Sequence, residues 1–385
     1  MAEKKIRMGM VGGGKNAFIG AVHRIAANMD GQIDLVCGAF SSDPERAKES
    51  GRALFLEESR NYASYKEMFE AEKALPEEQR MQFVSIVTPN FAHFEPAMLA
   101  LDHGFHVLID KPMTLSLDEA KQLEQKVSET GLLLCLTHTY SGYPMVKQAR
   151  QMVKAGELGK IRKVIVQYPQ GWLSLPSEKD NKQAAWRTDP TKSGKSGCMG
   201  DIGTHAAQLA EYISGLKIEK ICADINIVVE GRALDDDGNI LLKFDNQANG
   251  VLIASQIAAG EENALSIRVY GEKGGLEWRQ EEPNTLVIKW LDAPTQVYRT
   301  GHDYLSSFAK HNTRTPSGHP EGYLEAFGNL YRNFASTLQC LAAGVQPSEE
   351  MLDFPTVQDG VRGMAFIENV IASGQSDQKW YEFKV

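Results

Sequence analysis

The stretch that most constrains the fold is an apolar run, a glycine triplet and a helical run, all within the first 29 residues. Ile6-Arg7-Met8-Gly9-Met10-Val11 is short, largely apolar and followed by glycine, the pattern of a buried parallel strand. Gly12-Gly13-Gly14-Lys15-Asn16-Ala17 comes next and leads into a helical stretch from Phe18 to about Met29. Strand, G-x-G-x-x-A turn and helix in this order are the context that a dinucleotide fingerprint requires. Gly12 permits the tight turn, Gly14 lets the backbone approach a pyrophosphate, and Ala17 is small enough for close helix–strand packing. The helix N-terminus offers its N–H groups to the phosphates. The same residues also suit a plain glycine-rich βα turn.

A second strand runs from Ile33 to Phe40. An NAD-type fold expects an acid at its end, on the ribose hydroxyls, and this chain has Ser41-Ser42. Asp43-Pro44 opens the next helix, with Asp43 as its N-cap. The missing acid leaves room for a 2′-phosphate, with Arg46 as a candidate partner, so NAD and NADP both stay open. Phe83–Val87 ends in Thr88-Pro89-Asn90, ahead of a helix bearing His93. His106–Ile109 ends in Asp110-Lys111-Pro112, and Leu132–Leu136 closes this half. Strands alternating with helices predict a doubly wound parallel sheet, whose ligands bind beyond the strand carboxyl ends. Gly12, Ser41, Asn90 and Lys111 are therefore expected in one crevice. The proline after Lys111 biases its backbone to the extended region.

After Thr137 the rhythm changes. A helix from about Tyr143 to Lys154 and a strand from Ile161 to Tyr168 precede a series of strands without long helices between them: 220–229, 238–244, 250–258, 264–270, 274–279 and 285–290. This predicts an α+β domain with a large open, mainly antiparallel sheet. A chain of 385 residues exceeds one ordinary core. The expected division is a Rossmann domain, 1–137, and a substrate-binding and oligomerisation domain, 138–385, whose helix at about 356–373 is able to pack back on the first. One face of an open sheet calls for a partner, so a homodimer or homotetramer is expected. The net charge of −9 argues against nucleic acid as a partner. No apolar run reaches the roughly 20 residues of a membrane helix, so no membrane association is expected. The five cysteines are scattered without metal-ligand spacing, which suits reduced thiols, a cytoplasmic protein and no metal site.

One further stretch carries acid–base potential. In Gly200-Asp201-Ile202-Gly203-Thr204-His205, Asp201 and His205 stand one helical turn apart, with Ile202, Leu209 and Ile213 as the apolar stripe behind them. Alone, the pair reads as an N-cap or first-turn acid and an ordinary helical histidine. Beside a cofactor crevice it reads as a general acid–base set, since imidazole titrates near neutral pH. Trp186-Arg187, in the polar loop ahead of this helix, could pack on a sugar or nicotinamide face and bind hydroxyls or a carboxylate. His319 and Tyr323, in the loop before the next long helix, are further candidates for substrate contact.

Taken in order, Gly12–Ala17, Thr88-Pro89-Asn90 with His93, Asp110-Lys111-Pro112, Gly156-Glu157-Leu158-Gly159, Trp186-Arg187 and Gly200–His205 resemble the glucose–fructose oxidoreductase / inositol dehydrogenase (Gfo/Idh/MocA) family. The resemblance covers essentially the whole chain. It implies hydride transfer between NAD or NADP and a secondary hydroxyl of a sugar, sugar derivative or cyclitol. It further implies Lys111, Asp201 and His205 as the catalytic set, with His205 the acid–base. On the cofactor side it implies Gly12, Gly14, Lys15, Asn16, Ala17, Ser41, Ser42, Arg46, Thr88, Pro89, Asn90, His93, Asp110, Lys111, Trp186 and Arg187. On the substrate side it implies Lys111, His138, Tyr140, Arg187, Asp201, His205, His319 and Tyr323. Asp110 replaces the commoner Glu, and Thr137-His138-Thr139-Tyr140 stands where many relatives carry Asn and Arg, which marks a specialised pocket. Three alternatives remain: a retained nicotinamide used for transient oxidation in elimination or epimerisation, a non-catalytic sensor of nicotinamide or sugar, and a reductase of another substrate class.

Overall fold

The computed structural model describes residues 5–15 and 17–385. They form two compact units: one runs to Thr114 and adds Asp118–Thr139 and Leu324–Val361, the other comprises Leu115–Leu117, Tyr140–Tyr323 and Arg362–Val385.

The first unit holds a parallel sheet of β1 (Ile6–Gly12), β2 (Ile33–Ala39), β3 (Phe83–Val87), β4 (His106–Ile109) and β5 (Leu134–Leu136). The strand order is β2-β1-β3-β4-β5. Crossovers run through α1 (Phe18–Asn28), α2 (Pro44–Ala53), α3 (Tyr65–Ala74), α4 (Phe94–Asp102) and α5 (Leu117–Thr130). This is the doubly wound arrangement, and its order reverses between β1 and β3, where Gly12 pairs with Val87. Every residue of β3 is buried, as a strand covered on both faces must be. Residues 324–361 join this unit, whereas the boundary at 137/138 follows chain order alone. The reason is visible in α11 (Tyr323–Ala342), which buries Phe327, Leu330, Tyr331 and Phe334. Phe334 packs edge-on against Phe83 of β3, ring centroids 5.4 Å apart.

The second unit holds β6 (Lys163–Pro169), β7 (Ile218–Asn226), β8 (Asp237–Phe244), β9 (Asn249–Ser255), β10 (Ser266–Tyr270), β11 (Gly274–Arg279), β12 (Thr285–Trp290), β13 (Gln296–Arg299) and β14 (Tyr381–Glu382). They form one sheet in the order β13-β12-β11-β10-β6-β9-β8-β7-β14. β6 and β9 pair in parallel and all other neighbours antiparallel. Side chains alternate in burial along β6 and β10, the mark of a sheet covered on one side. Val164, Val166, Ile267 and Val269 are buried on the side of α6 (Pro144–Lys154) and α9 (Thr204–Ser214). The opposite face carries Ile165, Val251 and Ile253, each part-exposed, and Leu241, which is 45% exposed. The short helices α7 (Lys182–Arg187), α8 (Pro190–Ser193) and α10 (Ser307–His311) and the long α12 (Val357–Gly374) complete the chain. Among the described residues no helix is long and apolar enough to cross a membrane.

Candidate active site

In the first unit β1 runs into Gly12 and Gly13, both left-handed at φ +80° and +70°. Gly13 lies so close to Gly20 of α1 that a Cβ on Gly20 would fall 2.3 Å from Gly13 Cα. This glycine pair makes a close approach between the turn and the helix. Ala17 is the extended N-cap residue of α1 (φ −95°, ψ 108°). Gly14 is closed in as well: a Cβ there would meet Ser50 Oγ at 2.7 Å and Phe40 O at 2.8 Å. Packing against the end of β2 thus requires glycine at this position irrespective of any pyrophosphate. Lys15 N–H donates to Ser50 Oγ (3.1 Å), and its Nζ pairs with Glu49 (2.6 Å). Asn16 lies outside the described residues. Among the described residues no side chain caps α1, and its first turn carries no acid. By contrast Asp43 caps α2, accepting from Arg46 N at 2.8 Å, and Ser64 caps α3. A left-handed glycine turn leading into an N-terminus that no described side chain caps fits the pyrophosphate of a dinucleotide. At the end of β2, Ser41 Oγ accepts from Asp43 N (3.1 Å), while Ser42 and Arg46 are exposed.

Beyond β3, Thr88 Oγ1 donates to Ala92 O (2.8 Å), and Pro89 leads into a single 3₁₀ turn, Asn90–Ala92, in which Asn90 is buried. His93 is a brace. Its Nδ1 faces Pro112 O and its Nε2 faces Thr88 O, both at 2.8 Å, joining the loops that follow β3 and β4. Lys111 follows β4, and its N–H donates to Asp110 Oδ1 at 2.9 Å. Thr137 Oγ1 donates to the same oxygen (2.8 Å). His138 is buried, and desolvation, aided by the Lys111 charge, pushes its pKa down to about 3. A cluster missed by the sequence reading stands behind Asp110. Tyr331 Oη lies 2.7 Å from both His23 Nδ1 and Ser85 Oγ, and His23 Nε2 is 3.9 Å from Asp110 Oδ2. Burial pushes His23 down to about 4, so it meets Asp110 as a neutral ring at pH 7. Ser85, a hydroxyl inside an apolar strand, was the available signal.

In the second unit, Asp201 and His205 belong to one helix. A π-turn, Met199–Gly203, runs directly into α9. Ile202, Leu209 and Ile213 are buried, as the apolar stripe requires. Asp201 is not the N-cap: its own N–H already donates to Gly197 O (2.9 Å). Its Oδ2 accepts from Arg187 Nε (3.1 Å) and Gln256 Nε2 (2.9 Å). Arg187 also donates to Gln183 Oε1 (2.7 Å) and lies 4.3 Å over the Trp186 ring. Trp186 thus stacks on Arg187. His205 is buried with the Tyr140 ring edge-on at 4.8 Å and the Tyr168 ring at 6.3 Å.

The two phenols form a closed ring with Asn263. Tyr168 O–H donates to Asn263 Oδ1 (2.7 Å), Asn263 Nδ2 donates to Tyr140 Oη (3.2 Å), and the two hydroxyls bond each other. Burial raises both phenols, so they stay protonated. Gln170 Nε2 also donates to Asn263 Oδ1 (2.7 Å) and Gln170 Oε1 accepts from Trp172 Nε1 (3.0 Å). Tyr323 acts electrostatically on Tyr168. His319 is exposed in a loop shaped by Glu321, which accepts from Arg314 N and Thr315 N. The structure thus brings Arg187, Asp201, Tyr140 and His205 together. Tyr168, Gln256 and Asn263 were missed, because only the fold brings strand ends from distant sequence to this helix. A fixed carboxylate beside an imidazole in a phenol and amide lining can orient a hydroxyl and exchange its proton.

Residues 6–138 match an oxidoreductase family with an NAD-binding Rossmann fold, and residues 146–277 match the GFO/IDH/MocA C-terminal domain. An uncharacterized oxidoreductase, YfiI, of Bacillus subtilis is 34% identical over 99% of this chain and 98% of its own length. The chain belongs to the Gfo/Idh/MocA oxidoreductase family. Its fold is similar to that of an inositol dehydrogenase homolog complexed with NAD+ from Azotobacter vinelandii, at 36% identity, 99% and 98% coverage of the two chains and a TM-score of 0.93. A second structure of an inositol dehydrogenase homolog from that organism, complexed with NADH and myo-inositol, matches at 34% identity, the same coverage and a TM-score of 0.89. In Gfo/Idh/MocA terms, the first unit carries the NAD-binding Rossmann domain and the second carries the family's C-terminal sheet domain.

Proposed function

We propose that this oxidoreductase transfers hydride between NAD or NADP and a secondary hydroxyl carbon of a sugar, sugar derivative or cyclitol. The observation that carries the reading is Asp201 and His205 on one helix, the carboxylate held by Arg187 and Gln256 and the imidazole set against two buried phenols. Bound nicotinamide supplies the hydride acceptor or donor. Loss of hydride from a neutral alcohol would leave a protonated carbonyl, so His205 takes the hydroxyl proton. Lys111 places positive charge against the developing alkoxide. Asp201 orients the ring by accepting from a neighbouring hydroxyl. Tyr140, His138 and Tyr323 tune which hydroxyl pattern is accepted. On the cofactor side, Gly12, Lys15, Ala17 and the N-terminus of α1 would hold the pyrophosphate, and Ser41, Ser42 and Arg46 would take the adenosine ribose. Thr88, Pro89 and Asn90 form the wall beside it, with His93 and Asp110 as its supports.

Arg187 is already paired with Asp201, which favours an uncharged polyol over a sugar phosphate. The myo-inositol complex of the Azotobacter homolog makes cyclitols the first class to try. The test is cofactor reduction at alkaline pH with both NAD and NADP, over inositols, hexoses, pentoses, anhydrosugars and glycosides. Turnover with a neutral polyol supports the reading, and none with any of them refutes it. The half-apolar open face of the second unit's sheet supports a homo-oligomer built from two or four copies, to be read by light scattering of the purified protein.

A further inference from the structure

The helix that carries Asp201 and His205 begins in an unusual way. Its leading N–H groups find acceptors outside the helix, and most of them belong to one residue. Asp235 Oδ1 accepts from Gly197 N and Oδ2 from Met199 N, both at 2.8 Å. The backbone carbonyl of Asp235 accepts from Cys198 N, also at 2.8 Å. Ser196 Oγ then accepts from Gly200 N (2.9 Å). A helix start leaves such donors without intrahelical partners, and a carboxylate there also meets the positive end of the helix dipole. Here a residue 34 positions beyond Asp201 in sequence supplies that carboxylate from the loop entering β8.

We propose that Asp235 is a positioning residue for Asp201 and His205: it clamps the π-turn so that both side chains present at the right place and angle. This rests on the roles assigned to that pair above. Asp235 is itself held rigidly. Its neighbour Asp236 accepts from Val228 N (2.8 Å) and Val229 N (2.9 Å) and pairs with Arg232 (3.2 Å). Asp236 O accepts from Gln256 N at 2.9 Å, and Gln256 is the residue whose amide holds Asp201. One anchored loop therefore fixes Asp201 twice, through the turn below it and through the amide beside it. A π-turn is rare and often marks a functional position. Without the clamp it would relax toward a regular α-turn, which would rotate Asp201 relative to His205. Burial raises the pKa of Asp235 while the bonds from Met199, Ser196 and Gly197 oppose the rise.

The test is Asp235→Asn, which keeps the shape but turns one acceptor into an amide that faces an N–H. Three readouts separate positioning from mere stability. With the best polyol substrate, kcat should fall at least tenfold. The primary deuterium isotope effect on kcat should rise as hydride transfer becomes limiting. The dissociation constant of NADH should stay within twofold, since the Rossmann turn is untouched. His106→Gln, which removes a hydrogen bond in the first unit without touching this turn or its loop, serves as the stability control. If Asp235→Asn does not fold, Ser196→Ala removes the Gly200 acceptor from the same turn and should show the same pattern at smaller size. A folded variant with wild-type kcat and isotope effect overturns the inference. If the wild type shows no dehydrogenase activity, the readout becomes the His205 imidazole resonance in histidine-labelled protein. Its chemical shift should differ between wild type and Asp235→Asn, and an unchanged shift overturns the inference independently of the enzyme's reaction.

Discussion

Tyr168→Phe tests the phenol–amide ring beside His205. The variant removes one donor and one acceptor from a closed cycle of three groups. Asn263 Oδ1 keeps its bond from Gln170 Nε2 at 2.7 Å, so that oxygen remains satisfied. The group stranded is the Tyr140 hydroxyl, which is buried and loses its acceptor. One buried donor left unsatisfied costs about 1–3 kcal/mol. For a domain of this size class each kcal/mol lowers Tm by roughly 2–4 °C, so Tyr168→Phe should lower it by roughly 2–12 °C. Tyr140→Phe in addition removes the stranded hydroxyl, so the double variant should be more stable than the sum of the single losses predicts, with a coupling of about 0.5–3 kcal/mol. Both changes keep the aromatic rings, so the 4.8 Å edge contact on His205 survives and kcat should fall far less than on removing His205 itself. Calorimetry and urea midpoints of the four proteins, with kcat on the same samples, measure this. A neutral Tyr168→Phe, or strictly additive losses, would refute the closed ring.

Further outcomes follow from other parts of the chain. His205→Ala should lower kcat by about 100- to 10,000-fold, the usual span for a general base, with NADH affinity unchanged; near-normal turnover in a folded variant would remove His205 from the mechanism. His106 accepts from Leu133 N through Nδ1 (2.9 Å), and burial pushes it down to about 4 from an ordinary value of 6.5. Its folded pKa is depressed, so its contribution is fully present above about pH 6.5 and is lost as pH falls through about 4. Between pH 7 and 5 it should account for about 2 kcal/mol of lost stability, and His106→Gln should flatten urea midpoints over that range; an unchanged pH dependence would contradict this. Gly20→Ala would set a Cβ 2.3 Å from Gly13 Cα and should weaken NADH binding at least tenfold, as read by fluorescence titration. Wild-type affinity would show that the turn tolerates the displacement.

The parallel half of the fold was legible because β1, β3 and β4 are largely apolar runs, each ending in glycine, proline or a polar cluster, and such runs in a βα rhythm admit few topologies. The open sheet was legible from the alternation in Ser266–Tyr270 and its neighbours. The destination of α11 was not, since an amphipathic helix does not state which sheet covers it. Of the two places the sequence left open for Asp201, N-cap or first-turn acid, the structure has the second: Asp201 lies in the first turn, and the carboxylate that meets the leading N–H groups comes from a residue 34 positions further on. Gly14 was assigned to the approach of a pyrophosphate, while contacts within the protein already close in Gly14, as they do Gly13 and Gly20. Asp201, Arg187, Tyr140 and His205 were each readable as residue types. Tyr168, Asn263 and Gln256, which hold them, come from strand ends that only long-range pairing brings together.

The most direct measurement is the rate at which the purified protein reduces NAD, and separately NADP, with myo-inositol and other neutral polyols at alkaline pH. The account predicts reduced cofactor formed in step with oxidised polyol for at least one pair, and slowed at least about 100-fold in His205→Ala. No reduction of either cofactor by any polyol, from a protein that still binds NADH, would contradict it.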